Sequence, residues 1–168
     1  KGLNTGSKLI VAAAGEKIRD LETNVLEDLP EQCKKHTFMA PGILLAEFHK
    51  HTENYELEKE RVQDFCNSLD FSKWNNIPLI VLVDDVGFVS KDFETFLWVT
   101  FTRSNPSDDL YGANERYESK HWTFDGPMTI DARFKPHNAP PLLEDVASVK
   151  RVDELINRNP ELRALLKK

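Results

Sequence analysis

The sequence lacks the signatures of several large protein classes. It has no block of lysine and arginine and carries a net charge of −6 over 168 residues, so we expect no nucleic-acid partner, because such partners require clustered cations. No apolar run approaches the ~18 residues that cross a membrane. The apolar segment from Leu9 to Ala14 is too short, and preceded by too few lysines, for a signal peptide.

Cysteine is scarce, and the common catalytic and nucleotide motifs are missing. Cys33 and Cys66 form no CxxC pair and lie in acidic, helix-like surroundings, which predicts free thiols in a reducing compartment and a cytoplasmic location. The segment 2–8 has glycines and a lysine, but its spacing differs from that of a phosphate-binding loop and it precedes a strand-like run. The chain has no GxGxxG, no GxSxG and no convincing Cys–His pair. Taken alone, the residues offer no catalytic constellation.

Apolar runs and alternating patterns predict the strands. Hydrophobic residues make up 40% of the chain, enough for the core of one domain. Two continuous apolar runs, Lys8–Gly15 and Pro78–Val83, are typical of strands buried on both faces. Weaker signals predict a short strand over Thr37–Leu45 with a turn at Pro41-Gly42, another over Asp109–Gly112, and an alternating strand over Trp122–Arg133.

Helical spacing of apolar residues separates these strands. The pattern predicts helices over Glu16–Leu29, Asn54–Leu69 and Phe93–Thr102, with Asp92 as the N-cap of the third. The segment Leu143–Lys168 is charged and also helical in pattern.

Alternating strands and helices predict an α/β fold with a small, mostly parallel or mixed sheet flanked by helices and followed by a helical tail. An α+β fold is the alternative, because the later part of the chain is richer in strands and loops. We expect an α/β domain over residues 1–142 and a tail over 143–168 that serves as interface or linker. The chain opens Lys1-Gly2-Leu3 without methionine, which suggests a domain of something longer, although a processed terminus would look the same.

Asp84 and Asp85 are the most prominent candidates for a site. They follow the buried strand 78–83, and the carboxyl ends of strands in an open sheet commonly border a ligand crevice. Two adjacent acids could bind a metal or act as general bases. The favoured interpretation is simpler: they accept hydrogen bonds from loop N–H groups and from Arg103 or Arg133.

Histidines and a tryptophan give weaker signals. His49 and His51 are two residues apart without a fixed acid cluster nearby, so exposed histidines are favoured over a zinc or iron site. The sequence Lys120-His121-Trp122 could line a pocket, but a tryptophan packed at the edge of the domain is the favoured account.

Three ordered segments resemble a known family. Pro78–Asp85 ends an apolar run in acids, Phe96–Asp109 carries Leu-Trp, Thr-Arg and Pro-x-x-Asp steps, and Gly126–Lys135 contains Ile-Asp-Ala-x-x-Lys. In this order they resemble the C-terminal part of the UbiD-type decarboxylases, the 3-polyprenyl-4-hydroxybenzoate carboxy-lyases and their relatives. The sequence departs from the family at Gly126-Pro127-Met128, where many members have Gly-Ser-Lys. Because the lysine is replaced by methionine here, we expect no functional role for a positively charged side chain at this turn.

The resemblance implies a function for the longer enzyme and a limited role for this part of it. Family members use prenylated FMN, a divalent metal and a Glu-Arg-acid trio in upstream domains to exchange CO2 with an aromatic or unsaturated acid. The C-terminal domain holds subunits together and helps close the substrate side of the pocket. It follows that this chain is inactive alone, binds no cofactor or metal itself, and has as partners its own upstream domains and further copies in a homo-oligomer.

The residue pattern and the family resemblance together predict which residues border a pocket or an interface. They are Asp84, Asp85, Trp98, Thr102, Arg103, His121, Trp122, Asp131, Arg133 and Lys135.

Two other functions stay open. The chain could be a stand-alone module that binds a ligand or metal at the Asp84-Asp85 strand end, or a purely structural self-association domain.

Overall fold

The computed structural model describes residues 8–10, 12, 14–24, 30–140 and 145–165. The chain forms two compact units, Lys1–Asn138 with the sheet and Ala139–Lys168 with two helices. The strands are β1 (His36–Ala40), β2 (Ile43–Glu47), β3 (Leu79–Val83), β4 (Leu110–Glu118) and β5 (His121–Asp131). The helices are α1 (Tyr55–Ser68), α2 (Phe71–Trp74), α3 (Val86–Val89), α4 (Phe93–Arg103), α5 (Val146–Arg158) and α6 (Pro160–Leu165).

The five strands form one mixed sheet in the order β1-β2-β3-β5-β4. The three inner strands β2, β3 and β5 are parallel, whereas β1 and β4 run antiparallel to their neighbours at the two edges. The central strand β3 is almost entirely buried, which explains its continuous apolar sequence, since both of its faces are covered. The α/β class expected from the sequence is confirmed, with a mixed sheet.

Helices cover both faces of the sheet, and alternate residues of β2 and β3 point to opposite cores. Leu44 and Leu82 pack with Phe65 of α1 on one face, where α2 contributes as well. Leu45 and Val83 pack with residues of α3 and α4 on the other face. The connection after β2 therefore covers one face of the sheet, and the connection after β3 covers the other.

Two elements expected near the start of the chain are wrong for the described residues. The segments predicted as a buried strand (Lys8–Gly15) and a helix (Glu16–Leu29) contain no strand or helix in residues 8–10, 12 and 14–24, and residues 11, 13 and 25–29 lie outside the described part. Ile10 and Ile18 are 85% and 90% exposed. An apolar run becomes a buried strand only if a neighbouring strand leaves a place for it, and among the described residues the inner places belong to β2, β3 and β5.

This segment is attached to the sheet by a main-chain contact. The N–H of Glu22 donates to the carbonyl of Asn76, and the carbonyl of Glu22 accepts from the N–H of Gly42. Gly42 has φ of +74°, and a Cβ there would lie 2.8 Å from Pro78 Cδ. Glycine is thus required both for the conformation and for the close packing of the β1–β2 turn.

Most other predicted elements are confirmed, some with different bounds. The expected short strand with a turn is the β1–β2 hairpin, and the strand expected at Asp109–Gly112 is the start of the longer β4. Asp92 caps α4 as predicted, since its Oδ1 accepts from the N–H of Thr95 at 2.7 Å. The tail is helical in α5 and α6. Within the described residues, no helix has the length and apolarity needed to cross a membrane.

The free edge of β4 is covered by side chains. Gln63 of α1 donates to the carbonyl of Gly112 at 2.8 Å, and Glu115 accepts from the Gly112 N–H at 2.9 Å. Asn67 of α1 accepts from the N–H of Asn114 at 3.1 Å. These contacts satisfy backbone groups that another strand would otherwise pair with, so helix α1 blocks edge-to-edge association at the base of this strand.

Replacing Gly112 by alanine should destabilise the fold, because the new Cβ would lie 2.2 Å from Phe124 Cγ. We expect a loss of about 1–3 kcal/mol in the free energy of unfolding, the usual range for overpacking, measured by urea denaturation. The matched control is Gly87→Ala in α3, where the nearest atom is the movable Asp85 carboxylate at 3.3 Å. Equal stability of the two variants would contradict the close Gly112–Phe124 contact.

Candidate functional site

A buried cluster of charged side chains lies where the inner strands end, and Arg133 is at its centre. The Arg133 side chain is 0% exposed. Its Nε and Nη2 donate to Oδ1 and Oδ2 of Asp131 at 2.9 and 2.8 Å. Asp131 ends β5 and Arg133 follows two residues later, so the fork of the guanidinium faces both carboxylate oxygens.

The third donor of Arg133 connects this pair to helix α1. Arg133 Nη1 donates to Oε2 of Glu58 at 2.8 Å and to the carbonyl of His49 at 2.9 Å. Glu58 also contacts His49 Nε2 at 2.8 Å and accepts from Thr52 at 3.0 Å and Arg61 at 2.8 Å. Both oxygens of this buried carboxylate are therefore satisfied, and one arginine joins the ends of β2 and β5 to the first turn of α1.

These contacts keep the central groups ionised. Burial raises the pKa of Glu58, but the hydrogen bonds from Arg133, His49 and Thr52 outweigh it and lower the pKa to about 2. Burial likewise opposes ionisation of Asp131, and the hydrogen bonds from Arg133 bring its pKa below the ordinary value. The pKa of Arg133 is raised because its two carboxylate partners outweigh its burial. A buried charge is tolerable only with such partners.

Lys135 extends the cluster toward α4 and β4. Its side chain is 2% exposed, and Nζ donates to the carbonyls of Asp131 at 2.7 Å and Arg103 at 3.0 Å. Nζ also lies 3.3 Å from Oδ1 of Asp109, whose other oxygen accepts from the N–H of Asn105 at 2.6 Å. Burial raises the pKa of Asp109, and Lys135 and the Asn105 N–H oppose that rise only in part.

Asp84 and Asp85 make the contacts that the simpler interpretation expects. Asp84 Oδ2 accepts from Arg103 at 3.1 Å and from the N–H of Phe134 at 2.6 Å. Asp85 caps α3, since its Oδ1 accepts from the N–H of Phe88 at 3.0 Å. Both carboxylates thus hold loops and a helix end in place at the carboxyl edge.

The remaining predicted residues lie away from the cluster. Trp98 is 55% exposed on α4, and the hydroxyl of Thr102 donates to its carbonyl at 2.6 Å. His121 is exposed at the far end of the β4–β5 hairpin, and Trp122 is half-buried against Phe124 with ring centroids 4.6 Å apart. The structure therefore brings together Asp84, Arg103, Asp131, Arg133 and Lys135, with Asp85 beside them.

A cleft of about 290 Å³ opens beside the cluster. At its rim the hydroxyl of Tyr55 is 2.9 Å from Nδ1 of His137. Two lysines border the cleft: Nζ of Lys135 is held by Asp109 and two carbonyls, whereas Lys59 is partly exposed and lies 3.9 Å from Glu56. In the described part of the chain, no three His, Cys, Asp or Glu side chains are grouped to hold a metal ion. The cleft is lined by His51, Tyr55, Glu58, Lys59, Asn105, Asp108, Asp109, Tyr111, Lys135 and His137.

Sequence reasoning missed Glu58 and the role of His49, and did not single out Asp109. A signal for Glu58 exists, because it precedes Val62 and Phe65 at helical spacing and so lies on the buried face of α1. A carboxylate among apolar residues on such a face implies a buried cationic partner. Asp109 has a different signal, as the acid of the Pro-x-x-Asp step, whereas His49 follows β2 in an irregular segment and carries none.

The comparisons with known proteins identify relatives, although no protein-family model matches the chain. It is 30% identical over 158 residues to an uncharacterized protein of Chlamydia caviae, a match that covers 92% of this chain and 25% of that protein. It is 28% identical over 159 residues to a Chlamydia pneumoniae protein named as a subunit of 4-hydroxybenzoate decarboxylase, covering 90% of this chain and 24% of the relative. The resemblance to the UbiD-type decarboxylases that the sequence predicts is confirmed by this second match. It spans about a quarter of the length of these curated relatives.

Two solved structures, one of them of a UbiD-class enzyme, resemble the chain weakly. One is an evolved dimeric form of HmfF from Pelotomaculum thermopropionicum in complex with prFMN, with 20% identity, a TM-score of 0.38, and coverage of 66% of this chain and 22% of that one. The other is the vanillic acid decarboxylase of Sedimentibacter hydroxybenzoicus in open form, with 17% identity, a TM-score of 0.40, and coverage of 76% and 27%. The relationship to the UbiD-type decarboxylases rests on the sequence matches.

The three segments that resemble the UbiD-type decarboxylases meet at the ionic cluster. The first ends in Asp84 after β3, the second contains Arg103 and Asp109 at the two ends of the α4–β4 connection, and the third contains Arg133 and Lys135 after β5. The charged residues of these three segments are therefore joined in space by hydrogen bonds and ion pairs.

Replacing the buried Arg133 should lower the free energy of unfolding far more than replacing the partly exposed Arg61. Arg133→Met leaves Glu58 and Asp131 without their main partner, and we expect a loss of about 3–5 kcal/mol, typical of an uncompensated buried charge. Arg61→Met is the matched control, because Arg61 contacts the same Glu58 from a side chain that is 42% exposed, and we expect about 0–1 kcal/mol. Urea denaturation of both variants measures the difference; similar losses would contradict the central role of Arg133.

Glu58 should make the stability depend on pH in the acid range. Its pKa is about 2 in the folded protein, against an ordinary value of 4.5 in an unfolded chain, so the unfolded state binds the proton first as pH falls. The stabilisation is fully present above about pH 4.5 and is lost as pH falls toward 2. Glu58→Gln should flatten the stability profile in this window, whereas Glu56→Gln, 85% exposed in the same turn, should not. Parallel profiles for both variants would refute this assignment.

Proposed function

We propose that this chain is the C-terminal domain of a longer UbiD-like (de)carboxylase that exchanges CO2 with an aromatic or unsaturated acid. In this proposal prenylated FMN, the divalent metal and the catalytic residues lie in other domains of the same polypeptide. The observation that carries it is the match to the 4-hydroxybenzoate decarboxylase protein of Chlamydia pneumoniae, which runs along 90% of this chain but covers only 24% of the relative. A region of that size is a domain of a larger enzyme.

The ionic cluster supports a positioning role for this domain. Arg133, Lys135 and Arg103 direct their donors to carboxylates and carbonyls of the chain itself. Their arrangement ties strand ends, the start of α1 and the end of α4 into one rigid edge. A domain that helps to close a substrate pocket needs such a fixed edge, because a covering loop that moves by even 1 Å loses its orientation effect.

We also propose that the domain holds subunits together, and the sequence pattern of the tail supports this role. Val149, Val152 and Ile156 recur at intervals of three and four residues in α5 and therefore share one face of the helix. The opposite side of α5 carries Arg151 and Glu154. A helix of this kind is stable when a partner covers its apolar side, and we assign that role to another copy of the chain.

The division of labour can be tested by assaying the chain alone. Supplied with prenylated FMN, a divalent metal and 4-hydroxybenzoate, the 168-residue chain should release no CO2, because the catalytic groups are proposed to lie elsewhere. The longer protein, prepared in the same way, should exchange labelled CO2 with 4-hydroxybenzoate or a related acid. Turnover by the isolated chain would refute the proposal.

The association role can be tested by sedimentation velocity. We expect the chain to sediment as a dimer or larger and to become monomeric when residues 143–168 are removed. Val152→Asp, on the apolar face of α5, should have the same effect, because it places a charge in the proposed contact. Arg151→Asp is the matched control and should leave the assembly intact. A monomeric intact chain would count against self-association through the tail.

A further inference from the structure

Helix α4 presents an aromatic face that is exposed in the unit containing the sheet, among the described residues of that unit. Phe93, Leu97 and Phe101 recur every four residues, and Trp98 lies beside them, so the four share one side of the helix. Their exposed fractions are 51%, 38%, 56% and 55% in the order Phe93, Leu97, Phe101 and Trp98. Phe88, in the preceding helix α3, is also 47% exposed.

The helix has a reason to expose these residues rather than rotate them inward. Its other side is already buried, with Phe96 and Val99 in the core beneath the sheet and Arg103 paired with Asp84. The N-cap at Asp92 also fixes where the helix begins. Since α4 cannot turn without losing these contacts, the aromatic residues stay on the outside.

Four neighbouring large apolar side chains are unusual on a protein surface that stays exposed to solvent. Contiguous exposed apolar patches on monomers mark sites of contact, and aromatic side chains dominate the centres of stable interfaces, where charged residues are depleted. Glu94 lies on the same side of the helix, four residues before Trp98, and Lys91 precedes the helix. A membrane surface is disfavoured as the occupant, because membrane-binding helices carry several lysines or arginines beside the apolar face.

We propose that the aromatic face of α4 docks permanently on the remaining part of the same polypeptide, a contact that fixes this domain against the rest of the enzyme. The inference rests on the proposed function, since it requires a longer chain. The length of the relatives supports this occupant, because about three quarters of each lies outside the matched region. A surface made mainly of large apolar side chains, with Glu94 as a charged residue among them, fits an obligate contact within one polypeptide better than a transient contact with a separate partner.

Hydroxyl-radical footprinting of the longer protein tests the docking directly, because it reads the oxidation of individual side chains. Trp74 is 4% exposed and serves as the buried reference, and Tyr117, 77% exposed on the β4–β5 hairpin, serves as the exposed reference. We expect oxidation of Trp98 to fall to the level of Trp74 in the longer protein and to approach full reactivity in the 168-residue chain. This protection should not change when the longer protein is diluted.

Each other result overturns the proposal. Protection of Trp98 that disappears on dilution would assign the face to a second copy, and oxidation of Trp98 at its reactivity in the 168-residue chain would show that the face is free. A decarboxylation assay on the same sample separates this inference from the proposed function. If Trp98 is protected but the protein does not decarboxylate the acid, the docking proposal stands and the proposed enzymatic activity is refuted.

Variants provide a second measurement. Trp98→Ser changes an exposed residue of this chain, so the domain itself should keep its stability in urea. In the longer protein we expect the same substitution to increase hydrogen exchange in the covering region, because the contact weakens. Tyr117→Ser is the matched control and should change neither. Unchanged exchange in the Trp98→Ser protein would contradict the docking.

Discussion

The fold of this domain depends on the pairing of the buried, charged Arg133 side chain with two carboxylates. A guanidinium with no exposure is stable only because Asp131 and Glu58 bring two carboxylates within 2.8 Å of it, and each of those acids would be equally costly without the arginine. The three groups must therefore be buried together or not at all. Since they come from α1 and from the end of β5, their joint burial fixes the helix against the strand.

Lys135 connects this buried cluster to the helix on the other face of the sheet. Lys135 binds the carbonyl of Arg103 at the end of α4 and the carboxylate of Asp109 before β4, while Arg103 itself pairs with Asp84 after β3. The helices on the two faces belong to different cores, and the ionic cluster is where their ends are joined. This accounts for the meeting of all three family-like segments at one edge: each supplies a charged group whose partner lies in another segment.

Each of the two units presents an exposed apolar surface, and the two surfaces suit different tasks. The aromatic face of α4 belongs to the unit that contains the sheet, and the apolar side of α5 belongs to the tail unit. A rigid sheet domain can transmit the position of one contact to another because its core has little freedom to deform. The pocket-closing role that we propose for this domain requires this property.

The sequence by itself determined the elements whose signals are local: the apolar β3, the amphipathic α1, the capped α4 and the helical tail. It also placed Asp84 and Asp85 at the carboxyl edge, because they directly follow the apolar run of β3. Only the tertiary structure decided that Glu58 pairs with Arg133, 75 residues away, and that the apolar run near Leu9 is not a sheet strand among the described residues. The physical reason is the same in both cases: periodicity reports which way a side chain points within its own element, whereas burial and charge pairing depend on which distant segment occupies the neighbouring space.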